Sequence, residues 1–201
     1  MTRDASRREF LQAAAAMSAA IGLAAGRPAS AQGPPLRPTP ACADAGPTPR
    51  QTAGPFFKPN SPRRTSLLEP GLGGTKIVVT GVVRFTDCRP AVGALLDVWH
   101  ADDRGDYDNA GDRLRGHQVT DDQGRYRFET IVPGRYPGRT RHFHVKVQAP
   151  GGPVLTTQLY FPGEPGNQSD ALFDSDLLMQ VRDGEGAKLA GFDFVLGSDR
   201  T

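Results

Sequence analysis

Two histidines, His142 and His144, flank Phe143 in the segment His-Phe-His-Val-Lys-Val-Gln. Polar and apolar residues alternate through this segment, which predicts a β-strand. Because successive side chains of a strand point to opposite faces, both imidazoles would project from the same face. Two nitrogen donors at this spacing could bind one metal ion. The H-x-H pair alone is a weak signal, because it often occurs by chance and also fits zinc and copper sites.

The oxygen donors nearest to this pair in the sequence are tyrosines. Tyr136 lies six residues before the first of the two histidines, and Tyr107 lies in the polar segment Asp102–Asp112. A phenol, with a pKa near ~10, binds a metal well only when a strong Lewis acid stabilises the phenolate. Ferric iron is such an acid, as tyrosinate-ligated haem shows. The other two tyrosines, Tyr126 and Tyr160, lie in strand-like segments and are predicted to pack in the core.

Short strands separated by turns would have to position these residues. The sequence shows no internal repeat and no pattern of a long amphipathic helix, and only Asp170–Met179 suggests a short helical turn. We therefore predict an all-β fold, an antiparallel β-sandwich with long active-site loops. The segments with strand patterns are Lys76–Phe85, Ala94–Trp99, Arg125–Ile131, His142–Gln148, Thr156–Phe161 and Gly191–Leu196.

Residues 1–31 have the pattern of an export signal. Arg7 and Arg8 precede the apolar run Leu11–Gly26, and an Ala-Ser-Ala cleavage pattern ends at residue 31. The paired arginines are typical of the twin-arginine route. The alternative is a membrane anchor, but the apolar run is shorter than the roughly 18 residues that a spanning helix needs. We expect an exported protein, periplasmic or extracellular, without a membrane span in its mature form.

The remaining chain is predicted to be a Pro-rich arm, residues 32–49, followed by a single domain, residues 50–201. Removal of the signal takes the formal net charge from +2 to zero. A neutral protein gives no indication of binding nucleic acid or an anionic membrane. In an exported protein, the two cysteines, Cys42 and Cys88, are expected to form one disulfide.

Several ordered motifs resemble those of the intradiol ring-cleavage dioxygenases, which include the protocatechuate 3,4-, catechol 1,2- and hydroxyquinol 1,2-dioxygenases. The resemblance covers roughly Thr48 to Leu196. The matching residues are Thr52-Ala53-Gly54-Pro55-Phe56, Trp99-His100-Ala101, Gly105-Asp106-Tyr107, Thr120-Asp121, Gly124-Arg125-Tyr126-Arg127-Phe128, Thr130 to Pro137, Arg139, His142-Phe143-His144 and Thr157 to Phe161.

The resemblance implies a non-haem Fe(III) cofactor held by Tyr107, Tyr136, His142 and His144 together with a hydroxide. It implies that the protein binds a catechol and O2 and opens the ring between the two hydroxyls, giving a cis,cis-muconate. In that reaction Tyr136 would act as a base as well as a ligand. These are expectations from the family and not from the spacing of the residues.

The resemblance also implies roles around the metal. Arg139 would stabilise negative charge on the substrate, and Gln158 would lie near the same place. Trp99 would line the pocket. Gly54 and Pro55 would bind substrate from the same chain or from a neighbouring subunit, so a homo-oligomer remains open.

Several alternatives remain at this stage. Arg141 competes with Arg139 for the role beside the substrate. We expect the chain to lack the helical N-terminal dimerisation domain of typical catechol 1,2-dioxygenases, and we therefore expect their substrate rules to transfer poorly. A non-catalytic binding module and a zinc or copper protein are the competing functions. An extradiol enzyme is disfavoured, because it would use Fe(II) with two histidines and a carboxylate.

Overall fold

A computed structural model of the chain describes residues 46–197. The predicted signal peptide, most of the predicted Pro-rich arm and Cys42 lie outside the described residues. Cys88 is disulfide-bonded. In the described part of the chain, no helix has the length and apolar character needed to span a membrane.

The described residues form an all-β fold, as predicted. Two single-turn 3₁₀ helices, Pro165–Gln168 and Ser175–Leu177, are the only helices between residues 46 and 197. The strands are β1 (Lys76–Phe85), β2 (Leu95–Trp99), β3 (Arg115–Val119), β4 (Arg125–Ile131), β5 (His142–Gln148), β6 (Leu155–Tyr160), β7 (Gln180–Asp183), β8 (Lys188–Gly191) and β9 (Phe194–Leu196).

The strands form two sheets. One has the order β3-β2-β5-β6 and is antiparallel throughout. The other has the order β4-β1-β8-β7, with β9 also paired to β1. In this second sheet β1 pairs antiparallel with β4 but parallel with β8 and β9. The sandwich is therefore mostly antiparallel, with one mixed sheet.

A close backbone approach interrupts the predicted strand Gly191–Leu196, of which Gly191 belongs to β8 and only Phe194–Leu196 forms β9. β8 ends at Gly191 and β9 begins at Phe194, because the chain between them crosses over Gly81 of β1. A Cβ on Gly81 would come within 2.7 Å of the Phe192 carbonyl carbon, so only glycine allows this approach. The Asp193 carboxylate continues the pairing by accepting from the Val82 N–H at 2.8 Å.

The core lies between the sheets, and its contacts with β5 show which face of that strand the two histidines occupy. Phe143, Val145 and Val147 alternate along β5, are fully buried and belong to the core. Phe143 meets Phe128 of β4 edge-on, with ring centroids 5.8 Å apart. His142 and the other alternate residues of β5 must therefore face away from the core, on the outer face of the antiparallel sheet.

Most predicted strands are confirmed, and three strands were missed. Lys76–Phe85, Arg125–Ile131 and His142–Gln148 have the predicted bounds, β2 begins one residue later than predicted, and β6 begins and ends one residue earlier than predicted. The missed strands β3, β7 and β8 are short or rich in polar residues, and β3 and β7 are edge strands. Edge strands bury little surface, so their sequences carry a weak apolar pattern.

Candidate metal centre and active site

Strand β5 supplies the two imidazoles, as predicted from the alternation. The Nε2 atoms of His142 and His144 lie 3.2 Å apart. His142 Nδ1 lies 2.7 Å from the Thr140 carbonyl oxygen, which can only accept, so the Nε2 of neutral His142 carries its lone pair. Burial and the charge of Arg139 lower the pKa of His142 to about 4. The ring is therefore neutral near pH 7, as metal binding requires.

Both tyrosines reach this pair from loops. The Tyr136 hydroxyl lies 3.3 Å from His142 Nε2. The Tyr107 ring meets the Tyr136 ring edge-on at a centroid distance of 5.9 Å, and its centroid lies 6.2 Å from that of His144. The structure therefore brings together all four residues that the resemblance implied as metal ligands.

The donor set fits a metal ion better than a hydrogen-bond network. The Tyr107 hydroxyl is buried and has no well-formed hydrogen bond within residues 46–197. Burial and then the nearby Tyr136 raise the pKa of Tyr107 well above its usual range. Only a strongly polarising cation would make it a phenolate. The separations of 3.2 and 3.3 Å around His142 Nε2 suit donors that each lie about 2.1 Å from one shared cation.

The histidine pair is not part of a larger cluster of histidine, cysteine or carboxylate side chains in the described chain. No group of three or more His, Cys, Asp or Glu side chains that could hold a metal occurs within residues 46–197. A site with two histidines and one carboxylate is therefore not formed here. The other two histidines are engaged elsewhere: His100 bonds Ala101 O and Thr130 Oγ1, and His117 bonds Ser61.

Two glycines fix the position of the tyrosine loops relative to each other. The Gly134 N–H donates to the Asp102 carbonyl at 2.6 Å, which joins the Tyr136 loop to the Tyr107 loop. A Cβ on Gly134 would lie within 2.6 Å of the Asp103 carbonyl oxygen. A Cβ on Gly105 would overlap the backbone of the opposite loop. The backbones can touch only because neither residue has a side chain.

Arg139 lies beside the Tyr136 hydroxyl in a buried network. Its Nη1 is 3.4 Å from Tyr136 Oη, its Nε donates to Asp170 at 2.9 and 3.1 Å, and its Nη2 donates to Gln158 Oε1. Burial raises the pKa of Asp170, but hydrogen bonds from Leu172 N, Thr140 N and Arg139 outweigh it and leave the pKa below its usual value. Asp170 is therefore an anion that orients Arg139.

The competing arginine points elsewhere. Arg141 donates to the Pro133 carbonyl at 2.7 Å and forms an ion pair with Glu164 at 3.0 Å. These partners lie outside the histidine and tyrosine cluster. Of the two arginines, the structure places Arg139 at the candidate site.

Aromatic rings cover the site on the side of the N-terminal segment. Trp99 stacks on His144 with centroids 5.0 Å apart and planes 3° apart, and Phe57 packs on Trp99. Trp99 is 1% exposed, so it packs behind His144 rather than forming an open wall. Gly54 approaches the same ring, since a Cβ there would lie 3.2 Å from His144 Cε1. Pro55, which follows, is exposed.

Open cavities reach the site from two sides. One, of about 360 Å³, is lined by Tyr136, Arg139 and neighbouring residues. Another, of about 370 Å³, is lined by residues around Tyr107. A larger cavity, of about 590 Å³, lies between residues 50–52 and 171–175 and is lined by none of the four candidate ligands. The Tyr136 and Arg139 side is therefore the better candidate for substrate entry.

Comparison with known proteins decides the family. A family model named Dioxygenase_C and described as Dioxygenase matches residues 52–196. A chlorocatechol 1,2-dioxygenase of Rhodococcus opacus is 32% identical over 179 residues, with 71% of this chain and 70% of that protein covered. A hydroxyquinol 1,2-dioxygenase of Rhizobium sp. (strain MTP-10005) is 33% identical over 171 residues, with 69% and 58% covered. The chain belongs to the intradiol ring-cleavage dioxygenase family.

Solved structures of intradiol dioxygenases share the fold. The dioxygenase domain of a dioxygenase carbohydrate-binding protein fusion from Streptomyces sp. SirexAA-E is 56% identical with a TM-score of 0.74, covering 76% of this chain and 99% of that domain. A hydroxyquinol 1,2-dioxygenase from Pseudomonas putida DLL-E4 is 27% identical with a TM-score of 0.69, covering 78% and 68%. The chain is thus an enzyme of the intradiol ring-cleaving class.

Sequence reasoning missed two contributors to this intradiol site. Asp170, which orients Arg139, lies 31 residues away and carried no local signal. Phe56, which stacks on Tyr107 at a centroid distance of 4.3 Å, was quoted only as part of a motif. The aromatic residue after Gly-Pro was the one available hint.

Proposed function

We propose that this chain is an exported, non-haem Fe(III)-dependent dioxygenase that uses O2 to open catechol-type rings between the two hydroxyls, giving cis,cis-muconate-type products. The observation that carries the proposal is the convergence of two phenols and two imidazole nitrogens, with the buried Tyr107 hydroxyl lacking a well-formed hydrogen bond. Membership of the family and relatives named for catechols and hydroxyquinol support it.

Tyr107, Tyr136, His142 and His144 would hold the ferric ion. When bound, the ion would act as a Lewis acid that the two catechol oxygens can chelate, and it would lower the pKa values of the catechol hydroxyls. Phenolates are hard anionic donors, so this ligand set favours the ferric over the ferrous state. The two imidazoles stay neutral because burial lowers their pKa values.

Tyr136 is the residue suited to move a proton. Its hydroxyl is half-buried, lines the open cavity of about 360 Å³ and lies 3.4 Å from Arg139 Nη1. A substrate hydroxyl arriving through that cavity could pass its proton to the Tyr136 oxygen, which would then act as a general base. The Tyr107 hydroxyl is buried and the Tyr107 ring is stacked on Phe56, so Tyr107 would remain a ligand throughout.

Arg139 would stabilise the negative charge that develops on the substrate. Its guanidinium is held on three sides by Asp170, Gln158 and Tyr136, so it is oriented before substrate binds. A fixed cation costs no reorganisation during the reaction, which is why preorganised charge is effective in catalysis. Gln158 is fixed in turn by donating to the Thr52 carbonyl at 3.0 Å.

Packing on the far side of the site would keep water away from His144. Trp99 and Phe57 stack in series behind the ring, and the Gly54 backbone lies against its Cε1 edge. Gly54 and Pro55 would border the bound substrate where the N-terminal segment passes the site. A Cβ at position 54 would lie 3.2 Å from His144 Cε1, so a side chain there would crowd this ring.

Colour and oxygen uptake test the proposal together. The iron-loaded chain should show a visible tyrosinate-to-iron charge-transfer band and consume O2 with catechols, giving products cleaved between the hydroxyls. Tyr107→Phe and Tyr136→Phe should each lose or shift the band. Tyr126→Phe is the matched control, because Tyr126 is buried in the core and donates to Phe192 O at 2.7 Å.

Each competing function predicts a different result. A zinc or copper protein that uses only the histidine pair would keep its metal in both tyrosine variants. A non-catalytic binding module would be colourless and would consume no O2. Products cleaved beside the diol would contradict the intradiol assignment.

Export has a separate test. With Arg7 and Arg8 intact, the full chain expressed in a bacterium that has the twin-arginine route should reach the periplasm or the medium. Replacement of both arginines by lysine should leave it in the cytoplasm, because the paired arginines are the recognised element. Equal export of both forms would contradict this route.

A further inference from the structure

Arg115, the first residue of β3, is a buried arginine beside the proposed metal centre. It is 2% exposed. Its Nη1 donates to the Phe56 carbonyl at 2.7 Å, and its Nη2 and Nε donate to the Asp108 carbonyl at 2.9 and 3.3 Å. All of its described hydrogen bonds thus go to neutral backbone oxygens.

No carboxylate within residues 46–197 forms an ion pair with this guanidinium. The nearby Asp108 carboxylate accepts from the backbone N–H groups of Ala110, Gly111 and Arg113 instead. The Asp97 carboxylate accepts from Ser61 at 2.8 Å. The carboxylates of Asp97, Asp108 and Asp112 interact with Arg115 electrostatically without forming ion pairs. Burying a charge that has no ion-pair partner is costly, so the hydrogen bonds to the two carbonyl oxygens must offset that cost.

The two carbonyls that Arg115 binds lie on either side of Tyr107. Phe56 stacks its ring on the Tyr107 ring, with planes 17° apart, and Asp108 is the next residue after Tyr107. One guanidinium therefore joins the N-terminal segment to the Tyr107 loop. A shift of Arg115 would move both neighbours of the Tyr107 ring.

We propose that Arg115 is a positioning residue that holds Tyr107 in place for the metal by binding the carbonyl oxygens of Phe56 and Asp108. The proposal rests on the proposed function, because Tyr107 has to be positioned for a metal only if a metal binds there.

Three variants of the iron-loaded full chain test the role. Arg115→Gln should weaken iron affinity roughly 10- to 100-fold, as loss of an outer partner typically does. It should also shift the charge-transfer band, because Tyr107 would no longer be held in place for the metal. Arg115→Lys should weaken iron affinity as well, because an ammonium cannot span two carbonyls.

Arg64→Gln is the matched control. Arg64 also donates to backbone carbonyls of this region, those of Arg115 and Asp112, but it is paired with Glu69 at 2.7 Å. We expect a normal band and an affinity within about twofold of wild type, since a partly exposed ion pair away from the metal ligands contributes little. Equal changes in Arg64→Gln and Arg115→Gln would overturn the proposal, because they would show a general effect of loosening the loop.

The outcomes separate this inference from the proposed function. A wild-type chain without the band refutes the ferric centre itself. A wild-type band with unchanged affinity and wavelength in Arg115→Gln refutes only the role of Arg115. If Arg115→Gln does not fold, Arg115→Lys decides: reduced iron affinity supports the proposal, and wild-type affinity overturns it.

Discussion

The contact between the two tyrosine loops makes Gly134→Ala the sharpest test of how the site is held. The new Cβ would lie 2.6 Å from the Asp103 carbonyl oxygen, whereas non-bonded carbon contacts are comfortable near ~3.5 Å. The loops would have to separate by about 1 Å. Because the loops carry Tyr107 and Tyr136, the donors would separate too. A misplacement of about 1 Å can reduce a rate about 100-fold.

The same substitution should leave the fold intact. Overpacking typically costs about 1–3 kcal/mol, against a total stability of about 5–15 kcal/mol. Gly151→Ala is the control: Gly151 has φ +73°, with no atom within 4 Å of an added Cβ, so it costs about 1–2 kcal/mol of backbone strain alone. The two variants should therefore melt at similar temperatures. Only Gly134→Ala should lose the visible band and about 100-fold in kcat/KM with catechol.

The comparison of Gly134→Ala with Gly151→Ala shows whether the contact between the two loops sets the positions of the tyrosines. If Gly134→Ala keeps the band intensity and kcat/KM of wild type, then contact between the loops does not set the positions of the tyrosines. If Gly151→Ala loses the band equally, then general destabilisation explains the effect. Either result would refute the reasoning from Gly134.

Two further predictions concern buried titratable groups. Asp170→Asn removes the anion that orients Arg139. Because a charge-assisted hydrogen bond contributes about 1.5–3 kcal/mol, we expect a roughly 10- to 100-fold loss of kcat/KM with unchanged iron content. Loss of iron from this variant would place Asp170 in the metal site instead. His100 has a folded-state pKa lowered to about 4, by burial first, from 6.5. As the pH falls, His100 therefore takes up its proton at a higher pH in the unfolded state than in the folded state. The free energy of unfolding should fall by up to about 3 kcal/mol as pH drops from 6.5 to 4. His100→Gln should reduce the dependence of the melting temperature on pH between 6.5 and 4. An equal slope in the variant and in wild type would contradict this role of His100.

The part of the site that follows local rules was predictable from the sequence. His142 and His144 share a face because strand alternation requires it, and the burial of Phe143 between them confirms the register. The all-β class followed from short alternating segments. The four ligands were implied by a family resemblance and not by any local rule, because Tyr107 and Tyr136 approach the histidines through loops whose shape the sequence does not reveal.

The parts that were missed depend on contacts between distant segments. Asp170 reaches Arg139 from a loop after β6, and β3 pairs with β2 although its residues, Arg-Gly-His-Gln-Val, have no strand alternation of apolar residues. The parallel pairing of β1 with β8 joins residues that are far apart along the chain. No periodicity within a short window carries such information.

That parallel pairing has a consequence for synthesis on the ribosome. One edge of β1 is paired only by β8 and β9, and Ile77 pairs with Lys188, which is synthesised roughly 110 residues later. Until Lys188–Leu196 have emerged, a nascent chain exposes the unpaired amides of a ten-residue apolar strand, which is a template for aggregation. Translation that stalls before this point would therefore yield insoluble fragments rather than a smaller working enzyme.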